Sequence, residues 1–300
     1  MRKKSHARAG RSEDRPLHRA RKRFGQHFLA PAWAQKVVAA IDPQPGDVFL
    51  EIGPGTGALT RPLAATGAQI LAVELDRDLV RSLAPTLPRT VTLLSGDVLS
   101  VDVIAFLRGL GPQHAVDATM GAERPAPRAR FRVVGNLPYN VATPIVLHLI
   151  ELHRRHGLFA DATVMLQREV ADRLLARPGT RAYGALTILP RVHATVSRLL
   201  DLPPGAFKPP PKVRSSVVRL AFGPPTVSVT SDAMFERLIK GLFMHRRKTL
   251  SNVLKLFAPN GLDVLERSGF DGRRRPETLS VQEIARLTDL FAKSAEVGPP

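Results

Sequence analysis

Apolar positions along the first three quarters of the chain follow two periods. Short apolar runs bounded by Gly, Pro, Asn or Asp read as strands, and stretches with apolar residues three or four apart read as helices. Strands are expected at 48–52, 69–76, 90–94, 131–135, 163–167 and 215–222, and helices at 32–41, 58–65, 101–107, 143–153, 168–176 and 182–194, the last disturbed at Pro190. This alternation predicts an α/β domain built on an open sheet, spanning 21–223. Gly223-Pro224-Pro225 then punctuates the chain. Beyond it only the helical period recurs, at 231–243, 246–257, 260–268 and 280–292, which predicts a small all-helical C-terminal domain over 224–300. Residues 109–130 are rich in Pro, Gly, Ala and Arg without a period and read as a surface insertion.

The strand ends carry the candidate chemistry. Gly53-Pro54-Gly55-Thr56-Gly57 follows the first α/β-domain strand directly and precedes a helix, an arrangement that lets backbone approach a nucleotide-type ligand. It lacks the Lys-Ser/Thr of a triphosphate-binding loop and is not G-x-G-x-x-G. Glu74 closes the next strand about twenty residues on, where an acid can accept from ribose hydroxyls; NAD and S-adenosylmethionine both carry such a ribose. Asp97 follows the third strand and can accept from an adenine amino group or cap the helix behind it. Asn136-Leu137-Pro138-Tyr139 follows the fourth. Pro138 stops regular structure and holds Leu137 extended. The Asn136 amide oxygen and the Leu137 carbonyl can then serve one external NH2 group, with Tyr139 as a flat face beside them. Taken alone, this stretch is an ordinary strand-to-turn junction. Four such loops on one sheet edge shift the balance, because ligand clefts of open α/β sheets lie there.

Charge supplies a partner. The 300 residues hold 44 Lys+Arg against 26 Asp+Glu, a net +18, which points to a polyanion. Residues 1–23 contribute ten Lys/Arg against Glu13 and Asp14; residues 1–20 read as a disordered basic arm, without the apolar core of a secretory signal. Arg246-Arg247-Lys248 and Arg273-Arg274-Arg275 add two basic clusters in the C-terminal part, read as an RNA footprint. Lys208 and Lys212 flank the proline run 209–211, and Phe207 beside it is either a base-stacking ring or a core anchor for that stiff loop. There is no Cys, so disulfides and thiolate metal sites are excluded. The nine His show no metal-type spacing, and no apolar run reaches the roughly 20 residues of a membrane span.

The ordered words Arg23-Phe24-Gly25-Gln26-His27-Phe28-Leu29, Glu51-Ile52-Gly53-Pro54-Gly55-Thr56-Gly57, Val73-Glu74-Leu75-Asp76, Gly96-Asp97, Asn136-Leu137-Pro138-Tyr139, Phe207-Lys208-Pro209-Pro210-Pro211-Lys212-Val213 and Arg246-Arg247-Lys248-Thr249-Leu250 resemble the ribosomal RNA small-subunit adenine N6-dimethyltransferases. The resemblance covers about 21–292 and implies a Rossmann-like S-adenosylmethionine-dependent methyltransferase domain with a small helical C-terminal domain. It implies that His27 and Leu29 close over the cofactor, although some members carry Asn in place of His27. It further implies that Gly53 admits the methionine part, Glu74 holds the ribose and Asp97 the adenine amino group, and that Asn136 lies near the sulfonium. Asn136, Leu137, Pro138, Tyr139 and Phe207 would then hold the target adenine, and Arg246, Arg247, Lys248, Lys208 and Lys212 the RNA. The implied activity is dimethylation of two adjacent adenines in the 3′-terminal hairpin of 16S rRNA, by a cytoplasmic monomer acting on a 30S pre-ribosomal particle, without metal or membrane. Two rivals share the catalytic words or the fold: a 23S rRNA adenine N6-methyltransferase of the macrolide-resistance type, and a non-catalytic RNA-binding or transcription factor. A dinucleotide oxidoreductase would explain the glycine turn but neither the charge nor Asn-Leu-Pro-Tyr.

Overall fold

A computed structural model describes residues 26–109 and 131–296. The arm at 1–20 and, apart from Gly109, the insertion at 109–130 lie outside the described residues. The short strand β1 (Phe28–Leu29) leads into helix α1 (Pro31–Ile41), with proline at its first position, where no amide partner is lost. There follow β2 (Val48–Ile52), α2 (Thr60–Ala64), β3 (Gln69–Glu74), α3 (Arg77–Leu83), β4 (Val91–Ser95), α4 (Val103–Gly109), β5 (Phe131–Asn136), α5 (Ala142–His156), β6 (Phe159–Gln167), α6 (Arg168–Leu175), α7 (Ala185–His193), β7 (Ala194–Leu202), β8 (Phe207–Lys208) and β9 (Ser215–Phe222).

Among the described residues seven strands form one sheet in the order β4-β3-β2-β5-β6-β9-β7. Strands β4, β3, β2, β5 and β6 run parallel, while β9 is antiparallel to both β6 and β7. The central strands are buried on both faces, and so they read as continuous apolar runs. Strand order reverses between β2 and β5, and the glycine loop and Asn136 both leave the sheet at that point. β7 was not among the expected strands: the helical pattern over 182–194 continues to His193 and hides a strand start at Ala194.

Helices α8 (Asp232–Met244), α9 (Leu250–Phe257), α10 (Gly261–Ser268) and α11 (Val281–Glu296) make the C-terminal part. Ser231 caps α8 through Met234 N. Their core is shared with the α/β part, because Tyr183, Ile188 and Val192 pack among Phe235, Leu242 and Ile284. The helix expected over 246–257 begins only at Leu250. Arg246-Arg247-Lys248 therefore lies on the turn before α9.

Candidate active site

The C-terminal ends of β2, β3 and β5 border a cavity of about 340 Å³, lined among others by Leu29, Gly53, Glu74, Asn136 and Tyr139. Its floor is the glycine loop. Gly53 and Gly55 have φ of 67° and 59°, a region that side chains disfavour, and a Cβ on Gly55 would sit 3.2 Å from the Phe28 ring. Glu74 is buried; its Oε2 accepts from Gly55 N at 3.0 Å and its Oε1 from Asp76 N at 2.8 Å. The carboxylate thus braces the loop, and each oxygen keeps a further lone pair for a ligand hydroxyl. Burial raises the Glu74 carboxyl above the ordinary carboxylate range.

Two cavity residues escaped the sequence reading. Glu51 sits inside β2, 1% exposed, and its Oε2 has no hydrogen-bond partner. Burial pushes its carboxyl up to about 7, and the Glu74 charge adds to this. The signal the sequence offered was a carboxylate inside the otherwise apolar run Val48–Ile52, which only its burial makes anomalous. Leu75, 52% exposed beside Glu74, offers the cavity an apolar surface. An orphaned buried carboxylate oxygen, a glycine cradle, a ribose-type acid and an exposed leucine fit a ligand with an ammonium group, a ribose and a flat ring. S-adenosylmethionine has all three.

At the other wall Asn136 Nδ2 donates to the His27 carbonyl at 2.7 Å. A carbonyl only accepts, so the amide orientation is fixed and Oδ1 is the acceptor that Asn136 can offer. The β5–β6 ladder ends at Asn136↔Met165, which leaves the Leu137 carbonyl just past it, while the Leu137 side chain is buried in the core. The Tyr139 hydroxyl meets Ser215 Oγ at 2.6 Å, and its ring stacks on His27 at 5.6 Å between centroids.

The structure brings His27, Leu29, Gly53, Glu74, Asn136, Leu137, Pro138 and Tyr139 around one cavity. Asp97 does not line it: the side chain is exposed, and its Oδ1 accepts from Leu99 N at 3.0 Å in the turn after β4. Phe207 is corrected from stacking ring to core anchor. It is 2% exposed, pairs with Leu29 across the β1–β8 ladder, and packs with Leu202 and Ala206. Lys208, the last residue of β8, and Lys212, on the loop between β8 and β9, are both exposed. Arg246 is engaged internally, donating to the Arg181 carbonyl at 2.8 Å and lying 3.7 Å from Glu277, whereas Arg247 and Lys248 are exposed. Arg274, from the second basic cluster, is likewise engaged, by a two-pronged pair with Glu283 at 2.6 and 3.0 Å.

A family model described as ribosomal RNA adenine dimethylase matches residues 17–293. Ribosomal RNA small subunit methyltransferase A of Aromatoleum aromaticum is 41% identical over 280 residues, covering 92% of this chain and 95% of the relative. The protein of the same name from Pseudomonas syringae pv. tomato is 42% identical over 283 residues, covering 92% and 96%. The crystal structure of a dimethyladenosine transferase from Plasmodium falciparum matches with a TM-score of 0.67 at 24% identity, over 90% of this chain and 98% of that one. That of the 23S rRNA methyltransferase ErmE matches at 0.61 and 23%, over 88% and 99%. At these identities the two structures establish the fold, a methyltransferase α/β domain followed by helices. With a family model spanning most of its length and relatives above 40% identity, the chain belongs to the ribosomal RNA adenine dimethylase family.

Proposed function

We propose that this enzyme transfers methyl groups from S-adenosylmethionine to N6 of two adjacent adenines in the 3′-terminal hairpin of 16S rRNA, on a 30S pre-ribosomal particle. The observation that carries the reading is the locked Asn136 amide, whose Oδ1 and the next carbonyl stand at one strand exit beside Tyr139. Adenine N6 is a poor nucleophile because its lone pair is delocalised into the ring. Asn136 Oδ1 and the Leu137 carbonyl accept its two hydrogens, draw the nitrogen toward a pyramidal geometry, and free the lone pair. Tyr139 supplies a stacking face for an adenine taken out of the RNA stack. When bound, the cofactor supplies an electrophilic methyl group on a sulfonium. Glu74 would hold its ribose, Glu51 its ammonium, and the backbone at Gly53 and Gly55 its methionine part. Asp97, whose Oδ1 accepts from Leu99 N, would serve the adenine amino group through the acceptor capacity its carboxylate keeps. The acceleration is then mostly positioning and electrostatics. The methylated amine is acidic enough to pass its proton to water.

The net charge of +18 and the exposed Arg247, Lys248, Lys208 and Lys212 suit a ribosomal RNA substrate. A monomer in the cytoplasm, where ribosomes are assembled, completes the reading. Relatives at 41–42% identity named for the small subunit favour 16S over 23S RNA. The retained Glu74 and Asn136-Leu137-Pro138-Tyr139 argue against a non-catalytic RNA binder. The test is methylation of undermethylated 30S subunits and of naked 23S RNA, with the modified bases mapped. The reading expects two adjacent dimethyladenines near the 16S 3′ end; a product confined to 23S RNA would overturn it.

A further inference from the structure

One residue touches both Asn136 and Tyr139 of the base-binding wall. The His27 carbonyl accepts from Asn136 Nδ2 at 2.7 Å, its imidazole stacks on Tyr139 with an interplanar angle of 26°, and its Nδ1 meets the Pro209 carbonyl at 2.7 Å. Since that carbonyl only accepts, Nδ1 carries the proton and donates. The segment around His27 is tied on both sides. Gln26 Nε2 donates to Oδ2 of Asp76, the residue that caps α3 just past β3, at 3.1 Å, and Phe28 and Leu29 pair with Lys208 and Phe207. Ala30 N donates to the Ala206 carbonyl at 2.8 Å. Buried Leu29 and Phe207 embed this strap in the core, so His27 is carried on a fixed element rather than a loose lid.

We propose that His27 is a positioning residue for methyl transfer: it backs one face of Tyr139 and orients the Asn136 amide, so that the target adenine meets a prebuilt platform. This rests on the adenine N6 reading above, and it goes beyond the role of covering the cofactor that the family resemblance implies. Ser215 fixes Tyr139 at its hydroxyl and His27 covers one ring face; the base would stack on the other. The Pro209 contact holds the imidazole in that plane. The same strap carries the carbonyl that turns Asn136 Oδ1 outward. Stacking face and acceptor are therefore set by one residue before the base arrives, which lowers the ordering cost of capture.

The side chain is separable from the carbonyl, because substitution leaves the backbone in place. Three variants divide its contacts: His27→Ala removes ring and hydrogen bond, His27→Phe keeps a ring, and His27→Asn keeps a donor. The measurement is the single-turnover rate on undermethylated 30S subunits at saturating S-adenosylmethionine, with cofactor Kd and melting midpoint taken alongside. For His27→Ala we expect a rate at least about 10-fold lower with cofactor Kd within about threefold, since misplacement of about 1 Å costs up to about 10²-fold. His27→Phe should recover part of that loss. A His27→Ala rate within about twofold of native overturns the proposal, whatever happens to cofactor binding. So does a His27→Phe rate no higher than that of His27→Ala. If His27→Ala does not fold, the Phe and Asn variants carry the test, and Phe must be the faster of the two. Native enzyme on the same particles is the control: if it makes no dimethyladenine, the functional reading fails and the His27 proposal falls with it, whereas a native rate matched by His27→Ala overturns the His27 proposal alone.

Discussion

Arg132 and Asn136 stand four residues apart on β5 and so on the same side of the strand, yet the two ends of the sheet treat them in opposite ways. At the starting end every guanidinium nitrogen of Arg132 is engaged. Nε and Nη2 hold Asp161 at 3.0 Å each, Nη1 holds Asp47 at 2.7 Å and the Asp42 carbonyl at 3.0 Å, and Nη2 also reaches the Ile41 carbonyl. Arg219 adds a second cation on Asp161 at 2.5 Å. At the finishing end polar groups are anchored on one side and left open on the other. Asn136 has its Nδ2 tied and its Oδ1 to offer, and Glu51 has a buried oxygen without a partner. A buried polar group satisfied within the chain serves the fold. One held in place with capacity to spare costs stability and serves a ligand.

That contrast can be broken at several points. The largest effect on stability is expected from Arg132→Met, which leaves Asp161 buried with less compensation, at a cost of about 3–5 kcal/mol. Denaturant melts should show it, while the variant that still folds at low temperature keeps native cofactor affinity. Loss of cofactor binding without loss of stability would place Arg132 on the wrong side of the comparison.

Glu74→Gln should come next. The new amide keeps one acceptor but turns a donor toward Gly55 N or Asp76 N, so cofactor binding should weaken by about 10–100-fold, as losing a charged hydrogen bond of about 1.5–3 kcal/mol implies. Calorimetric titration with S-adenosylmethionine measures this, and an unchanged Kd would remove Glu74 from the site.

Glu51→Gln sharpens the comparison through pH. The Glu51 carboxyl is raised from 4.5 to about 7 in the fold, so the folded state holds that proton more tightly than the unfolded chain. Its contribution is therefore full below about 4.5 and is lost as pH rises through about 7, on the order of 3 kcal/mol. The variant should melt higher than native at pH 8, with the gap closing toward pH 4.5, and should bind cofactor less tightly. Parallel melting curves across that range would contradict an open carboxylate.

The site was legible in the sequence where chemistry coincides with a strand end. Glu74 and Asn136 each terminate an apolar run, and geometry could add only their partners. Glu51 and Arg132 were hidden because each interrupts an apolar run from within, where a charge reads as noise unless its burial is known. Phe207 was misjudged for a related reason. A basic, proline-rich neighbourhood suggests a surface, but pairing with Leu29, 178 residues earlier, draws the ring into the core, and no local pattern carries that. Arg246 and Arg274 read as RNA contacts by charge alone, and their carbonyl and carboxylate partners lie far off in sequence or across a turn. β9 ends at Phe222 and α8 begins at Asp232, and the core of the helical part reaches back to Ala176.

The open acceptor on Asn136 is the centre of this account, and Asn136→Ala tests it most directly. The measurement is the single-turnover rate of adenine methylation on undermethylated 30S subunits at saturating S-adenosylmethionine. We expect a loss of about 10²-fold or more, the scale for removing one preorganised polar contact to a reacting group, with cofactor affinity reduced far less. A rate within a few fold of native would contradict the claim that the strand exit at Asn136 holds the reacting nitrogen.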